Sequence, residues 1–481
     1  MSLKFQAIRA ELPPLLRLAL PLIAGELGWV SMSLVDTIML GHLPNSALAM
    51  SSAALAGHLY NTLCFGVAGV LLGLDSLISQ SLGANQRHAA NRWLVHGLLM
   101  AVTLAALLIG IFALAPSLLL HLPVDRAILN SAVPAMIGLN YGTLPLLLTF
   151  ALRRYLQAAH HGRPIAFGLI SANLVNIAGD WLLIYGHTFH LFGHILAIPA
   201  FGVTGSSWST SFARLYNFAA YATALWWLDR RHTYGLRPML RNKAARKIEF
   251  QHLRKLFILG APAGASIFIE IAIFAAVTAL IATFGRLPLA GHEIALQCAS
   301  TTFMVPFAIS SATSVRVGHC IGRIKIGAAT VASAAAAGWS GVLSGAAFML
   351  VMSIVLLTIP SHIARLFTPD PGVIAAATPL LLIAAGFQFF DGVQVTATGA
   401  LRGAGDTTAP FVTQLISYWI IGMPLGIYLG FHQKLGATGL WLGLLIALTL
   451  AAVIMCFFWR RTTRSFALIA DTLKDCRPTT M

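Results

Sequence analysis

Charge is what this chain has least of. Of its 481 residues only 10% are Asp, Glu, Lys or Arg, while 58% are hydrophobic. An ordinary soluble domain carries about 25% charged residues. So few charges cannot cover a water-facing surface, which excludes a soluble globular enzyme and a disordered chain alike. Cysteine is also scarce. Cys64, Cys298, Cys320, Cys456 and Cys476 show no CxxC spacing, which speaks against a zinc ribbon or a disulfide scaffold. There is no GxxxxGK[ST], HExxH or GxSxG, and Gly403-Ala404-Gly405 follows no strand, so it is not a dinucleotide fingerprint. With no ATPase motif, any transport must draw on an ion gradient or a partner. The missing metal motif and nucleophile–base pair argue against a membrane-embedded enzyme. Alternating barrel strands are absent too.

What remains is apolar sequence in long runs. Stretches able to cross a bilayer fall at about 14–40, 50–78, 93–116, 131–155, 165–187, 202–228, 256–283, 291–315, 328–359, 373–398, 409–431 and 436–459, twelve in all. They predict an all-α integral membrane protein with twelve transmembrane helices. No short apolar segment ends in a small-residue cleavage site, so the first run reads as a span and not a removed signal peptide. The net charge of +16 sits mainly in short loops. Sorted by alternate loops, one side collects most Lys and Arg, and the other has Arg126, Arg286, Arg365 and Lys434. That asymmetry orients a membrane protein and does not describe a nucleic-acid groove. It places both termini and the basic loop at 229–255 in the cytoplasm.

The basic loop divides the chain into matching halves. Gly41-His42-Leu43-Pro44 pairs with Gly285-Arg286-Leu287-Pro288, Pro116-Ser117 with Pro360-Ser361, and Leu152-Arg153 with Leu401-Arg402. An even number of spans per half makes the repeat parallel, which predicts two six-helix lobes related by a pseudo-two-fold axis along the membrane normal. The expected domains are an amino-terminal lobe at 1–228, a linker at 229–255, a carboxyl-terminal lobe at 256–464 and a cytoplasmic tail at 465–481.

The informative residues are carboxylates within apolar spans: Asp36, Asp180, Glu270 and Asp391. Each costs about 2.5–3.5 kcal/mol or more at mid-bilayer unless it faces water or a partner, so each reads as functional. Polar stripes accompany them. Asn173, Asn176 and Asp180 share one helix face, as do Gln388, Asp391 and Gln394, and as do Ser207, Thr210, Arg214 and Asn217. Asn173, Arg214, Phe268, Gln388 and Gln394 are candidates for the substrate cavity, because acids beside aromatics suit an organic cation. Phe274, Phe387, Phe389 and Phe390 are weaker aromatic candidates. Glu270 and Asp391 offer hard oxygen ligands to Na⁺. Asp36 is expected to approach Asp180 closely enough to share one proton. Arg214 is expected to pair with one of these two acids as an internal counter-ion. Glu26 is a weaker candidate for the cavity wall, and Asp75 for a cap or pair near the cytoplasmic end. Glu293 reads as interfacial. His187, His190 and His194 read as an interfacial loop and not a metal site. Gly69/Gly73, Gly341/Gly345, Gly422/Gly426/Gly430 and Gly439/Gly443 have the GxxxG spacing of close helix packing.

The residues resemble the multidrug and toxic compound extrusion (MATE) family, in its NorM-type bacterial branch. The resemblance rests on Val35-Asp36-Thr37-Ile38-Met39-Leu40-Gly41, Gly73 to Gly83 with Gln80, and Leu152-Arg153-Arg154-Tyr155-Leu156-Gln157 with Pro164. It also rests on Ala295-Leu296-Gln297, Ser314-Val315-Arg316-Val317-Gly318, and Gly399 to Thr407. The resemblance implies two six-helix lobes in a bacterial inner membrane and antiport of organic cations or drugs against Na⁺ or H⁺. No cofactor, enzymatic activity or nucleic acid is implied; the partners are small molecules and membrane lipid, and the chain is expected to be a monomer. It assigns Asp36, Asn176, Asp180 and Thr210 to an amino-lobe cluster, and Glu270 and Asp391 to the carboxyl-lobe acids. Arg214 departs from the family pattern, where a neutral residue is expected. The alternative is a lipid-linked precursor flippase of the wider superfamily, which needs a cationic cavity. Here the mid-membrane charges are mostly acidic.

Overall fold

The structure, a computed structural model, describes residues 3–119, 125–191, 194–232, 234–241 and 248–475. Helices dominate it. In the first half these are α1 (Leu3–Gly41), α2 (Ser46–Ala68), α3 (Gly73–Gly83), α4 (Arg87–Leu119), α5 (Arg126–Asn140), α6 (Thr143–Ala158), α7 (Gly162–Tyr185), α8 (Gly202–His232) and the short α9 (Leu236–Arg241). The second half has α10 (Phe250–Ala282), α11 (Arg286–Lys325), α12 (Val331–Thr358), α13 (Pro360–Phe367), α14 (Pro371–Ala404), α15 (Thr408–Gln414), α16 (Met423–Ile427) and α17 (Ala437–Asp475). An antiparallel hairpin, β1 (His187–Leu191) and β2 (His194–Ile198), joins α7 to α8. The expected interfacial loop bearing His187, His190 and His194 is therefore paired strand.

Among the described residues ten helices are long and apolar enough to cross a membrane, or eleven if α5 and α6, bent by 45°, form one span. The remaining expected span, 202–228, lies in α8, which at 31 residues is long enough but is not among the sufficiently apolar helices. The physical reason is its polar face: Ser206, Ser207, Ser209, Ser211, Arg214 and Asn217 are all buried there. Lys243, Arg246 and Lys247 of the basic linker, and the end of the tail, lie outside the described residues. The rest of the tail continues α17 as far as Asp475.

Two compact units are drawn differently from the expected lobes. The carboxyl unit comprises Met1–Ile23, Asp75–Gln86 and Ile258–Met481, and the amino unit Ala24–Leu74 and Arg87–Phe257. Arginine–carboxylate pairs fix the transferred segments in the carboxyl unit. Arg316 donates to Glu11 at 2.5 Å, and Arg402 Nε lies 3.1 Å from Asp75 Oδ2 with both side chains buried. Most of the linker, likewise, belongs with the amino unit. The buried Asp229 carboxylate accepts the backbone N–H groups of Leu236 and Arg237, starting α9. Asn91 donates to the Tyr234 carbonyl at 2.9 Å.

Glycines set the closest helix contacts in the carboxyl unit. A Cβ on Gly399 or Gly403 would lie 2.3 Å from the carbonyl oxygen of Ser310 or Ser314. Gly405 at φ +91° then ends α14, with Asp406 N–H bonded back to Leu401 C=O at 2.9 Å. The Gly399–Gly405 motif is thus a packing stripe followed by a helix cap. Gly443 would bring a Cβ within 2.6 Å of Gly422 O, and Gly341 one within 2.0 Å of Thr313 Oγ1. These contacts account for the GxxxG spacings there; Gly69 instead begins a 3₁₀ turn, Gly69–Leu72, between α2 and α3. The carboxyl core is built on Trp441, Phe387 and the leucines of α14 and α17.

Candidate functional site

Carboxylates in this structure sort by what neutralises them. Glu11, Glu26, Asp75, Asp229 and Glu249 each face an arginine. Asp125, Asp370 and Asp406 accept backbone N–H groups at helix starts. Glu293 is exposed. The four remaining acids whose side chains are described, Asp36, Asp180, Glu270 and Asp391, make no ion pair. They are the four singled out by their position in apolar sequence. Glu26, expected to face the cavity, is instead buried against Arg153.

In the amino unit α1 brings Asp36 against Asp180 of α7, with Asn176 and Thr210 beside them. Asp180 and Asn176 are buried. Hydrogen bonds within α8 and between α7 and α8 hold the neighbouring polar groups in place. Thr210 Oγ1 donates to Ser206 C=O at 3.0 Å, and Asn176 Nδ2 to Ser209 Oγ at 3.0 Å. Asp36 Oδ1, both Asp180 oxygens and Asn176 Oδ1 are buried without a hydrogen-bond partner. A cluster of unpartnered acceptor oxygens calls for protons or a hard cation, since nothing else satisfies them at low dielectric. Asn173 does different work: its Nδ2 donates to Gly28 C=O at 2.7 Å, tying α7 to α1.

Arg214 does not form the expected ion pair. Its guanidinium lies 4.8 Å above the Tyr60 ring, and it is only 6% exposed. Its Nε and Nη1 have no partner. Its charge reaches Asp36 through space without contact. The bend at Gly142 makes room for it, because a Cβ there would meet Arg214 Cδ at 3.0 Å and Ser211 Oγ at 2.7 Å. Below, Thr143 donates to Asn140 Oδ1 at 3.1 Å, so the Tyr60 hydroxyl must donate to Thr143 Oγ1 at 2.9 Å. This chain fixes the ring that carries the guanidinium, a cation–π contact worth about 2 kcal/mol when desolvated.

In the carboxyl unit Glu270 of α10 and Asp391 of α14 are near enough to interact electrostatically, and Tyr418 feels both. Gln414 Nε2 donates to Glu270 Oε2 at 3.3 Å. Gln414, Ser417 and Tyr418 complete this cluster, and their i, i+3, i+4 spacing in an apolar run is its trace in the sequence. Leu415–Gly422 is a π-helical segment, a distortion that recurs at functional sites. Gln388 Oε1 accepts from Thr302 Oγ1 at 3.0 Å. Both polar atoms of Gln394, Gln414 Oε1, Ser417 Oγ and the Tyr418 hydroxyl are buried and unpartnered, a mixture of donors and acceptors that suits water as well as a cation. The aromatic expectation fails in part. Phe268 is 42% exposed and, two residues before Glu270, points to another side of α10. Phe387 is buried and stacks on Trp441 with centroids 5.4 Å apart, so it belongs to the core.

A buried histidine, His292, ties three helices of the carboxyl unit together. Trp441 Nε1 donates to His292 Nδ1 at 3.0 Å, and His292 Nε2 lies 2.7 Å from Thr278 Oγ1. Thr278 donates its own proton to Phe274 C=O at 2.9 Å. His292 is therefore neutral with its proton on Nε2, joining α10, α11 and α17.

The MatE family model matches residues 21–182 and 262–428, one stretch in each half of the chain. The chain belongs to this family. Within MatE its relatives are of the NorM type. A probable multidrug resistance protein NorM of Geobacillus kaustophilus is 32% identical over 452 residues, covering 93% of this chain and 95% of that protein. The multidrug resistance protein PmpM of Pseudomonas aeruginosa is 31% identical over 464 residues, covering 95% and 93%. The crystal structure of the eukaryotic MATE transporter AtDTX14 superposes with TM-score 0.80 at 18% identity, over 96% of this chain and 100% of that one, which shows the shared fold. As a MatE protein the chain is an all-α membrane protein built as two units.

Proposed function

We propose that this protein is a multidrug efflux antiporter of a bacterial inner membrane, exporting organic cations in exchange for Na⁺ or H⁺. The observation that carries the reading is the sorting of acids: among the described side chains, the four without an ion-pair partner lie within spans, two in each unit, with Asp180 and Asp391 buried and Asp36 and Glu270 half-buried. A carboxylate with no fixed counter-charge at low dielectric must hold a proton, a metal cation or a cationic drug. These occupants exclude one another, and that competition couples their movements when the two units alternate access. Asp36, Asn176, Asp180 and Thr210 form one coupling cluster. Glu270 and Asp391, with Gln414 and Tyr418, form the second and supply hard oxygens suited to Na⁺. Gln388, Gln394 and Arg214 shape polarity around them. The loop charge asymmetry supports twelve spans with both termini in the cytoplasm.

Dye accumulation in cells expressing the protein tests this. Asp36→Asn, Asp180→Asn, Glu270→Gln and Asp391→Asn should each abolish efflux at unchanged membrane levels, while Glu293→Gln at an exposed acid keeps it. Full efflux by the Glu270 and Asp391 variants together would end the coupling role of the second cluster.

A further inference from the structure

The outer surface of the amino unit carries a groove that the transport reading does not use. Helices α7 and α8 run antiparallel, since Gly179 approaches Ser209 while Gly168 approaches Tyr221. The start of α7 therefore lies beside the end of α8. There they enclose a groove of about 460 Å³. Its floor is the α8 stripe Tyr216, Ala219, Ala220, Thr223 and Ala224, whose small residues leave the depression. Pro164 and Phe167 of α7 form the wall, and Trp226 and Trp227 close one end. Phe167 is 67% exposed and the two indoles nearly half. Apart from Thr223, the Tyr216 hydroxyl and the two indole N–H groups at the closed end, the lining is carbon, so it suits hydrocarbon.

The closed end is cationic. Arg230 lies 4.0 Å and Arg237 4.9 Å from the Trp226 ring centroid, and Arg231 lies 4.1 Å from that of Trp227. The carboxylate beside them is Asp229, already accepting two backbone N–H groups and 3.9 Å from Arg237 Nε. Arg230 and Arg231 are exposed. Arg237 is turned inward, its Nε and Nη2 buried, whereas a guanidinium lying over an indole at an exposed position, as at Arg230 and Arg231, keeps N–H groups available to chelate a phosphate. An apolar trough ending in interfacial tryptophans and a cluster of arginines matches one molecule along its length: acyl chain, glycerol, anionic headgroup.

We propose that this groove binds one anionic phospholipid, with an acyl chain on the Ala219–Ala224 floor and its phosphate between Arg230 and Arg231. The proposal needs only that the protein lie in a bilayer, so it stands or falls apart from the transport reading.

Tryptophan quenching by lipids with brominated acyl chains tests it on the full chain in detergent. The signal of Trp226 and Trp227 is isolated by difference from a Trp226→Phe/Trp227→Phe variant. Brominated phosphatidylglycerol should quench this signal at lower mole fraction than brominated phosphatidylcholine. Each exposed arginine should contribute about five-fold to that preference. Arg230→Gln/Arg231→Gln, both at surface positions, should erase the preference and keep the phosphatidylcholine quenching. Ala220→Phe should weaken quenching by both lipids by filling the floor. Equal quenching by the two lipids in the unaltered protein would mean an ordinary aromatic belt and overturn the proposal. So would a preference that survives loss of both arginines, or displacement of the lipid by millimolar inorganic phosphate.

Discussion

Replacing Asp75 by asparagine separates structural acids from coupling acids. Asp75 is fully buried, Arg402 is 6% exposed along its side chain, and Nε lies 3.1 Å from Oδ2. The substitution keeps the shape and leaves a guanidinium without its counter-charge. Breaking a buried pair from one side costs about 3–5 kcal/mol, because the surviving charge keeps its desolvation penalty and loses its attraction. At about 2 °C per kcal/mol for a large chain, the melting temperature should fall by about 6–10 °C. Removing both charges, as in Asp75→Asn/Arg402→Met, should recover most of that loss, since an apolar replacement of similar volume is often neutral. Thermal unfolding of detergent-purified protein, followed by tryptophan fluorescence, measures both. Efflux per folded molecule should persist in the double variant. A single variant as stable as the unaltered protein, or a stable double variant without efflux, would refute the division of acids into neutralised and available.

Other expectations follow from equally local geometry. Gly443→Leu should prevent close packing of the segment around Gly422–Gly426 on α17, because a Cβ there sits 2.6 Å from Gly422 O; the cost is at least about 1–3 kcal/mol, read as a lower melting temperature. Trp441→Phe leaves His292 Nδ1 buried without its donor and should cost about 1–3 kcal/mol. Burial acts to raise the Glu249 carboxyl, but the hydrogen bond and charge of Arg92, with His252 and His96, hold it below its ordinary value. Its contribution to stability is thus present above the ordinary carboxylate range and is lost as pH falls through the lowered value. Arg92→Gln should flatten the fall in melting temperature between about pH 5 and pH 3.

Much of this was legible in the sequence. Apolar run length set the helices, because a bilayer demands about twenty apolar residues per crossing. The same economy made Asp36, Asp180, Glu270 and Asp391 conspicuous. Partners across helices were not legible. Arg214 was expected beside an acid, but periodicity gives the face of a helix and not which neighbour lies over it, and the ring of Tyr60 took that place. Glu26 looked like a cavity acid because Arg153 lies 127 positions away in the chain. The boundary between compact units was hidden for a similar reason: Met1–Ile23 and Asp75–Gln86 follow Glu11–Arg316 and Asp75–Arg402, contacts between distant segments. Phe268 misled because an aromatic near an acid in sequence need not share its face.

Purified protein in liposomes with an imposed Na⁺ or H⁺ gradient offers the most direct measurement: drug-driven ²²Na⁺ movement and internal pH, recorded together. An organic cation should drive one of these ions in the opposite direction, and Asp391→Asn and Asp36→Asn, correctly folded, should each abolish the exchange. Drug movement with neither ion moving, or exchange undiminished in both variants, would contradict the antiport reading.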